Sequence, residues 1–278
     1  MAFRHTRIAL ALSGLGERVL PDWLYIWTMQ RVLPLVNKNR RWPTCRVAKD
    51  ASGVYRAEDE SGGRLFFYEP TRIGMYLWPN GLETRMGRIR DKYQRGPVVV
   101  SAGDIVVDVG ANIGEFGISV SGRAERVLAF EPDPTAFRCL EANATVYTKV
   151  TAINRLLADR PRAVTFHTCA KTADSSIIEP DSPHEKVEME ATTLDAALAE
   201  LGIDQVDFLK IEAEGAEPEI LVGAERTLER VGKLAVDAGP ERRGEPTVEP
   251  VAKMLRELGF DVETTDEMVY ASRPQGKA

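Results

Sequence analysis

From residue 105 onward one pattern repeats: a short apolar run, a turn, then apolar residues at helical spacing. Ile105-Val-Val-Asp-Val109, Arg126-Val-Leu-Ala-Phe130, Val150-Thr-Ala-Ile153, Val206-Asp-Phe-Leu-Lys-Ile211 and Lys233-Leu-Ala-Val-Asp237 read as strands. Residues 115–121, 193–201 and 251–258 read as helices. Another helix starts near Pro218 and carries Ile220, Ala224, Leu228 and Val231 on one face. Asp133 is a predicted N-cap, with Pro134 at the first helical position, where a missing N–H costs nothing. Residues 163–166 and 187–191 read as strands around a polar loop, 171–186, and two short strands (260–262 and 268–270) close the chain. Repeated βα units predict an α/β fold, with a mostly parallel sheet and helices on both faces. Ligands of such sheets sit at the carboxyl ends of the strands.

The first 97 residues follow a different grammar. Between Cys45 and Tyr68 three alternating runs are separated by Asp50-Ala-Ser-Gly53 and Asp59-Glu-Ser-Gly-Gly63, the signature of an antiparallel meander. Residues 82–93 read as a helix with Met86, Ile89 and Tyr93 on one face, ended by Gly96-Pro97. The expected organisation is a basic helical extension (1–45), a small meander plus helix (46–97) and a ligand-binding domain (98–278).

The chain has 278 residues and a net charge of −6, but the charge is unevenly spread. Residues 1–46 hold eight basic and two acidic side chains, so the rest carries −12. An acidic main domain argues against a nucleic-acid partner, which requires a basic surface. Three of the four tryptophans, Trp23, Trp27 and Trp42, lie in the basic segment. A helix over 23–36 would set aromatic rings beside Arg31, Lys38, Arg40 and Arg41, which suits a bilayer interface or a glycolipid. Packing on the main domain, or in a homodimer, is the alternative. The apolar stretch 8–16 is too short to span a bilayer and lacks a small-residue cleavage site. Cys45, Cys139 and Cys169 are too scattered for a disulfide framework, and no zinc-type spacing of Cys and His is present. The expectation is therefore a cytoplasmic protein without a resident metal, peripheral at the inner membrane face if the basic segment docks there.

Val107-Asp-Val-Gly-Ala-Asn-Ile-Gly-Glu-Phe116 joins a strand to a helix through a turn built on Gly110 and Gly114. Asp108 sits two residues before the first glycine, where a pyrophosphate-binding loop has no use for negative charge. Glu131 ends the next strand, 23 positions later, where a carboxylate can accept both ribose hydroxyls. An acid at the loop and an acid at the ribose fit a nucleoside that lacks phosphate and carries cationic groups. S-adenosylmethionine is such a molecule. Capping of neighbouring elements by Asp108 and Glu131 is the competing explanation. An NAD-dependent oxidoreductase would want Gly-x-Gly-x-x-Gly, and this chain has Asn112 at the second position.

Asp108-Val-Gly-Ala-Asn-Ile-Gly114, Phe130-Glu-Pro-Asp133 and Leu209-Lys-Ile-Glu-Ala-Glu-Gly-Ala-Glu217 together resemble the FkbM-type family of S-adenosylmethionine-dependent methyltransferases. The likeness spans roughly residues 91–270, and the third block is the specific one. Glu212 stands where the family pattern has Asp, which keeps the charge and lengthens the arm by one methylene. The resemblance implies a Rossmann-like class I methyltransferase domain, whose seven-stranded sheet has an antiparallel last strand. It also implies O-methylation of a sugar, glycolipid or related natural product. A membrane-docked protein that binds without catalysing is the further alternative.

On this reading Asp108, Gly110, Asn112 and Gly114 hold the methionine end of the cofactor, with Glu115 and Phe116 close by. Glu131 and Pro132 hold the ribose, and Leu156, Leu157 and Asp159 flank the adenine. Lys210, Glu212, Glu214 and Glu217 crowd the carboxyl end of their strand, and alternation puts Lys210 and Glu212 on one face. Glu212 or Glu214 is the expected base. An ion pair of Lys210 with Glu212, and acids merely decorating a helix start, are the alternatives. Asp237 ends the next strand and is a second acceptor-side candidate. His184, in the polar loop, is a third candidate base, and Asp174-Ser-Ser176 is expected to touch the ligand or form a turn.

Overall fold

A computed structural model describes residues 21–31, 45–60, 62–68, 81–169, 174–180, 183–242 and 244–274. It divides into two compact units, Met1–Arg88 and Ile89–Ala278. The division falls earlier than the change of pattern at residue 98, inside the helix that links the two parts.

In the first unit, helix α1 (Asp22–Arg31) precedes a meander of β1 (Cys45–Lys49), β2 (Tyr55–Asp59) and β3 (Arg64–Phe67). Tyr55, Ala57, Leu65 and Phe67 are fully buried, and the Tyr55 and Phe67 rings stack. Helix α1 is tied to the meander by Tyr55 and Lys49, which both donate to Asp22, and by Gln30, which donates to the Val47 carbonyl at 2.8 Å. Tyr25 and Ile26 are buried, whereas Trp23 and Trp27 are 69% and 55% exposed. The continuation of this helix expected to residue 36, the apolar stretch 8–16, Trp42 and the basic residues 38–41 lie outside the described residues.

Helix α2 (Gly81–Lys92) leads into the second unit. Its main sheet comprises β4 (Ile105–Val109), β5 (Arg126–Phe130), β6 (Val150–Ile153), β10 (Phe208–Ile211), β11 (Lys233–Asp237), β12 (Asp261–Thr264) and β13 (Met268–Ser272). The order is β12-β13-β11-β10-β4-β5-β6, and β13 alone runs against the other six. The expected fold, including its antiparallel last strand, is the observed one. The flanking strands anticipated at 163–166 and 187–191 are longer than expected. They are β8 (Arg162–Thr168) and β9 (Glu185–Thr192), which with β7 (Leu156–Leu157) form a separate three-stranded sheet.

Period-2 alternation separates two chemistries on the main sheet. Val107, Val109, Leu209, Ile211, Leu234 and Val236 face one way, into an extensive apolar core. That core includes residues of α5 (Leu194–Glu200), α6 (Glu217–Val222), α7 (Glu225–Leu228) and α8 (Val248–Glu257). The other face presents Asp108, Phe208 and Lys210 toward α3 (Glu115–Ser121), where Phe116 packs against Phe208 and Tyr93. Helix α4 (Pro134–Val146) starts as anticipated: Asp133 accepts from the amides of Thr135 and Ala136 at 2.7 and 3.1 Å.

The single helix expected from Pro218 through Val231 is instead broken. A Cβ at Gly223 would lie 2.1 Å from the Ala158 carbonyl oxygen, so the chain passes too close there for any side chain. Asp195, from α5 earlier in the chain, restarts the helix by accepting from the amides of Arg226 and Thr227 at 2.8 and 2.9 Å. Helical spacing cannot report such a break, because the apolar positions keep their phase across it.

Candidate active site

Three adjacent parallel strands, β4, β10 and β11, end at the same edge of the sheet. Their register sets Lys210 beside Asp108 on one side and Ala235 on the other. The Lys210 ammonium is fully buried. It lies 3.0 Å from Asp108 Oδ1 and 3.4 Å from Glu212 Oε2, and it donates to the Val109 and Gly110 carbonyls at 3.2 and 2.8 Å. Burial raises the Asp108 carboxyl and Lys210 opposes that; the Lys210 ammonium is itself stabilised by Asp108 and Glu212 against the cost of burial. Lys210 is thus a brace under the glycine turn, with no exposed surface from which to reach a ligand.

The chain of alternating charge continues outward. Lys92, at the end of α2, lies 3.1 Å from Glu212 and pairs closely with Asp237. Asp108, Lys210, Glu212, Lys92 and Asp237 therefore form one line of opposite charges across the strand ends. Burial alone would raise the Glu212 carboxyl, but Lys210 and Lys92 outweigh it and hold the group well below the ordinary range. Asp237 moves the other way: burial and the Glu212 charge lift it to about 6, against the pull of Lys92. Glu214 is lifted furthest, to about 9, by burial and by Glu212 and Glu241.

The turn itself is tightly constrained. Gly110 has φ +66°, and a Cβ there would lie 1.7 Å from the Glu212 carbonyl oxygen. Asn112 also adopts a left-handed conformation (φ 50°), which Asn tolerates better than most residues. Its amide donates to Glu131 Oε2 at 2.6 Å, and the Asp133 amide donates to Oε1 at 2.8 Å. Burial lifts the Glu131 carboxyl to about 7 despite these two bonds. Both of its oxygens thus brace the loop, as the capping explanation foresaw, and each keeps a further lone pair. Glu115 is buried, Phe116 packs among aromatic rings, and Pro132 is half-buried with its carbonyl accepting from Asn154 at 3.2 Å. Leu157 is a core residue paired beside Thr192, and Asp159 is bound to Arg162.

In the next loop, Glu214 is held at φ 50°. Glu217 does not decorate a helix surface. It is 1% exposed and closes the loop on itself, accepting from the Ala213 and Gly215 amides at 3.0 Å and from the Thr247 hydroxyl at 2.9 Å. Ser176 ties the polar loop to this turn by donating to the Ala213 and Glu214 carbonyls at 3.1 and 2.9 Å. Ser175 donates to Asp133 at 2.9 Å. His184 lies against the His167 ring and 3.5 Å from Glu179. The fold therefore gathers His167, Glu179 and His184, a grouping that sequence spacing concealed. Lys92 and Tyr93 also escaped the sequence reading. Helical spacing marked Tyr93 as apolar contact, but nothing announced that Lys92 would meet two carboxylates from distant strands.

Residues 108–262 match the model of the methyltransferase FkbM domain. The chain belongs to the FkbM methyltransferase family. S-adenosylmethionine is the family's cofactor, and the FkbM domain here contains suitable groups for it. Asn112 Oδ1 is buried without a hydrogen-bond partner among the described residues, and Glu131 has lone pairs to spare for hydroxyl donors. Similar proteins include the AMB antimetabolite synthetase AmbE of Pseudomonas aeruginosa, 29% identical over 67% of this chain but only 11% of that protein. They also include the 31-O-demethyl-FK506 methyltransferase FkbM of Streptomyces tacrolimicus, 26% identical over 64% of this chain and 81% of that one. A solved FkbM methyltransferase from Methylobacillus flagellatus is 20% identical, with a TM-score of 0.48, over 66% of this chain and 47% of its own. The chain thus spans about a tenth of AmbE and about half of the solved structure.

Proposed function

We propose that the protein is an O-methyltransferase that moves the methyl group of S-adenosylmethionine to a hydroxyl of a sugar, glycolipid or related natural product. The observation that carries this reading is the line of alternating charge at the strand ends, beside a glycine turn with an unpaired buried acceptor. The cofactor supplies an electrophilic methyl on a good leaving group. Gly110, Asn112 and Gly114 hold its methionine end and Glu131 its ribose end, while Asp108, expected to touch the cofactor directly, has no exposed surface and instead braces the turn through Lys210 and the Gly117 amide. Lys210 acts as a positioning residue that holds the turn through the Val109 and Gly110 carbonyls.

The acceptor hydroxyl must lose a proton as it attacks, and the most effective base has a pKa near the working pH. Glu212 is held too acidic by its two lysines, and Glu214 is protonated at neutral pH. Asp237, at about 6, is ionised at neutral pH and still basic enough, so it is our choice of base. His184 is engaged with His167 and Glu179, which weighs against that role. The deciding test is a screen of glycan, glycolipid and small-molecule hydroxyls with mass detection of methyl transfer. With an acceptor in hand, kcat/KM should fall on the acid side with an apparent pKa of about 6. Asp237→Asn should reduce kcat by ~10²–10⁴-fold and abolish that limb. A retained acid limb in the variant would reject Asp237 as the base.

The acceptor's tail is the second element of the proposal. Trp23 and Trp27, one helical turn apart and both exposed, support contact of residues 1–46 with a lipid surface or a lipidic acceptor. No helix among the described residues is long and apolar enough to cross a membrane. Equal co-sedimentation with anionic vesicles by the full chain and by Trp23→Ser/Trp27→Ser would remove this element.

A further inference from the structure

We propose that His167, Glu179 and His184 form a binding site for one zinc-class divalent cation, which clasps the connection between β8 and β9. His167 sits near the end of β8, Glu179 lies within the connection, and His184 immediately precedes β9. One ligand atom from each lies within 4.8 Å of the others. The 3.5 Å between His184 Nε2 and Glu179 Oε1 already matches the edge of a tetrahedron with bonds of about 2.1 Å. Two imidazoles and one carboxylate are a ligand set for zinc and its neighbours rather than for calcium or magnesium, which require oxygen donors.

The second observation is independent of this spacing. His167 is 6% exposed, and its Nδ1 has no hydrogen-bond partner among the described residues. A buried ring nitrogen without a partner is unfavourable, and a bound cation would relieve it. One group competes for the site: the Lys186 ammonium, 2.8 Å from Glu179 Oε1, which a dication would displace into solvent.

The position gives the clasp a consequence. His167 pairs through its backbone with Ser176 (2.8 and 3.1 Å), and the Ser176 hydroxyl holds the Ala213 and Glu214 carbonyls. A cation joining Glu179 and His184 to His167 would brace the connection on both sides of Ser176. It would thereby steady the turn that carries Glu214, without touching the charged line itself.

The test is Co²⁺ titration of the untagged full-length protein after chelator treatment, followed by absorption in the visible d–d region. We expect one Co²⁺ per chain, displacement by Zn²⁺, and a higher Tm with Zn²⁺. His184→Ala and Glu179→Gln, both outside the core, should each weaken Co²⁺ binding by about 100-fold or more while preserving the far-ultraviolet circular dichroism spectrum. Absence of d–d bands at saturating Co²⁺, a thiolate charge-transfer band, or unchanged affinity in either variant would overturn the assignment.

Discussion

At the scale of single residues, the candidate site depends on a few positions that tolerate no substitution for steric or electrostatic reasons. Gly110 combines a left-handed conformation with a virtual Cβ 1.7 Å from the Glu212 carbonyl. Gly110→Ala must therefore both strain its own backbone and push the two loops apart. We expect a loss of at least ~2 kcal/mol in urea unfolding, and loss of S-adenosylhomocysteine binding by calorimetry. Glu131 yields a sharper prediction, because its carboxyl is raised to about 7 in the free protein. Ribose hydroxyls donate to the ionised form and favour it, so binding below pH 7 should release a proton. The release should vanish above about pH 8 and in Glu131→Gln, as measured by calorimetry in buffers of different ionisation enthalpy. Proton uptake, or release that persists in the variant, would refute the ribose assignment. Glycine spacing and the two acids were legible in the sequence because each is a local requirement of its own turn. That the Asn112 amide would donate to Glu131 was not, since the two meet only when β4 and β5 lie side by side.

At the scale of elements, most boundaries followed from local chemistry. The Asp133–Pro134 start of α4, the extent of α3 and the meander turns all depend on residues within a few positions of one another. The break between α6 and α7 does not. It is imposed by Ala158 on one side and stabilised by Asp195 on the other. Asp195→Ala removes the acceptor for two amides and the Thr227 hydroxyl, and should cost about 1–3 kcal/mol in urea unfolding, with Asp195→Asn recovering part. A cost below about 0.5 kcal/mol would mean that α7 is held by its apolar face alone.

At the scale of the whole molecule, the α/β unit stores unfavourable acidity at one edge of its sheet. Glu131, Asp237 and Glu214 have carboxyls raised to about 7, 6 and 9, above their unfolded values. A raised carboxyl supports the fold below its unfolded pKa, and that support is lost as pH climbs through the folded value. Glu212 is lowered instead, so its contribution is present above the ordinary range near 4.5 and lost on acidification. The ligand-free protein should therefore be most stable near pH 4.5, where the two trends meet, and its Tm should fall from pH 5.5 to pH 8.5 in scanning calorimetry. A Tm that rises over that interval would contradict the assigned charge states. Such tension is expected of a site organised around a ligand rather than around stability.

The sequence by itself determined the α/β class, the order of its strands along the chain, the glycine turn and the family. Each of these is written in local periodicity, turn chemistry or contiguous motifs. Only the tertiary structure decided that Lys210 is a buried brace, that Lys92 joins Glu212 to Asp237, that Glu217 closes a loop, and that two histidines meet Glu179. Lys92 and Asp237 are 145 positions apart in the chain, and their pairing depends on strand order and helix placement. Charge and burial act through space, so the pKa of a carboxyl, and with it the choice of base, emerges only when the strands are laid side by side.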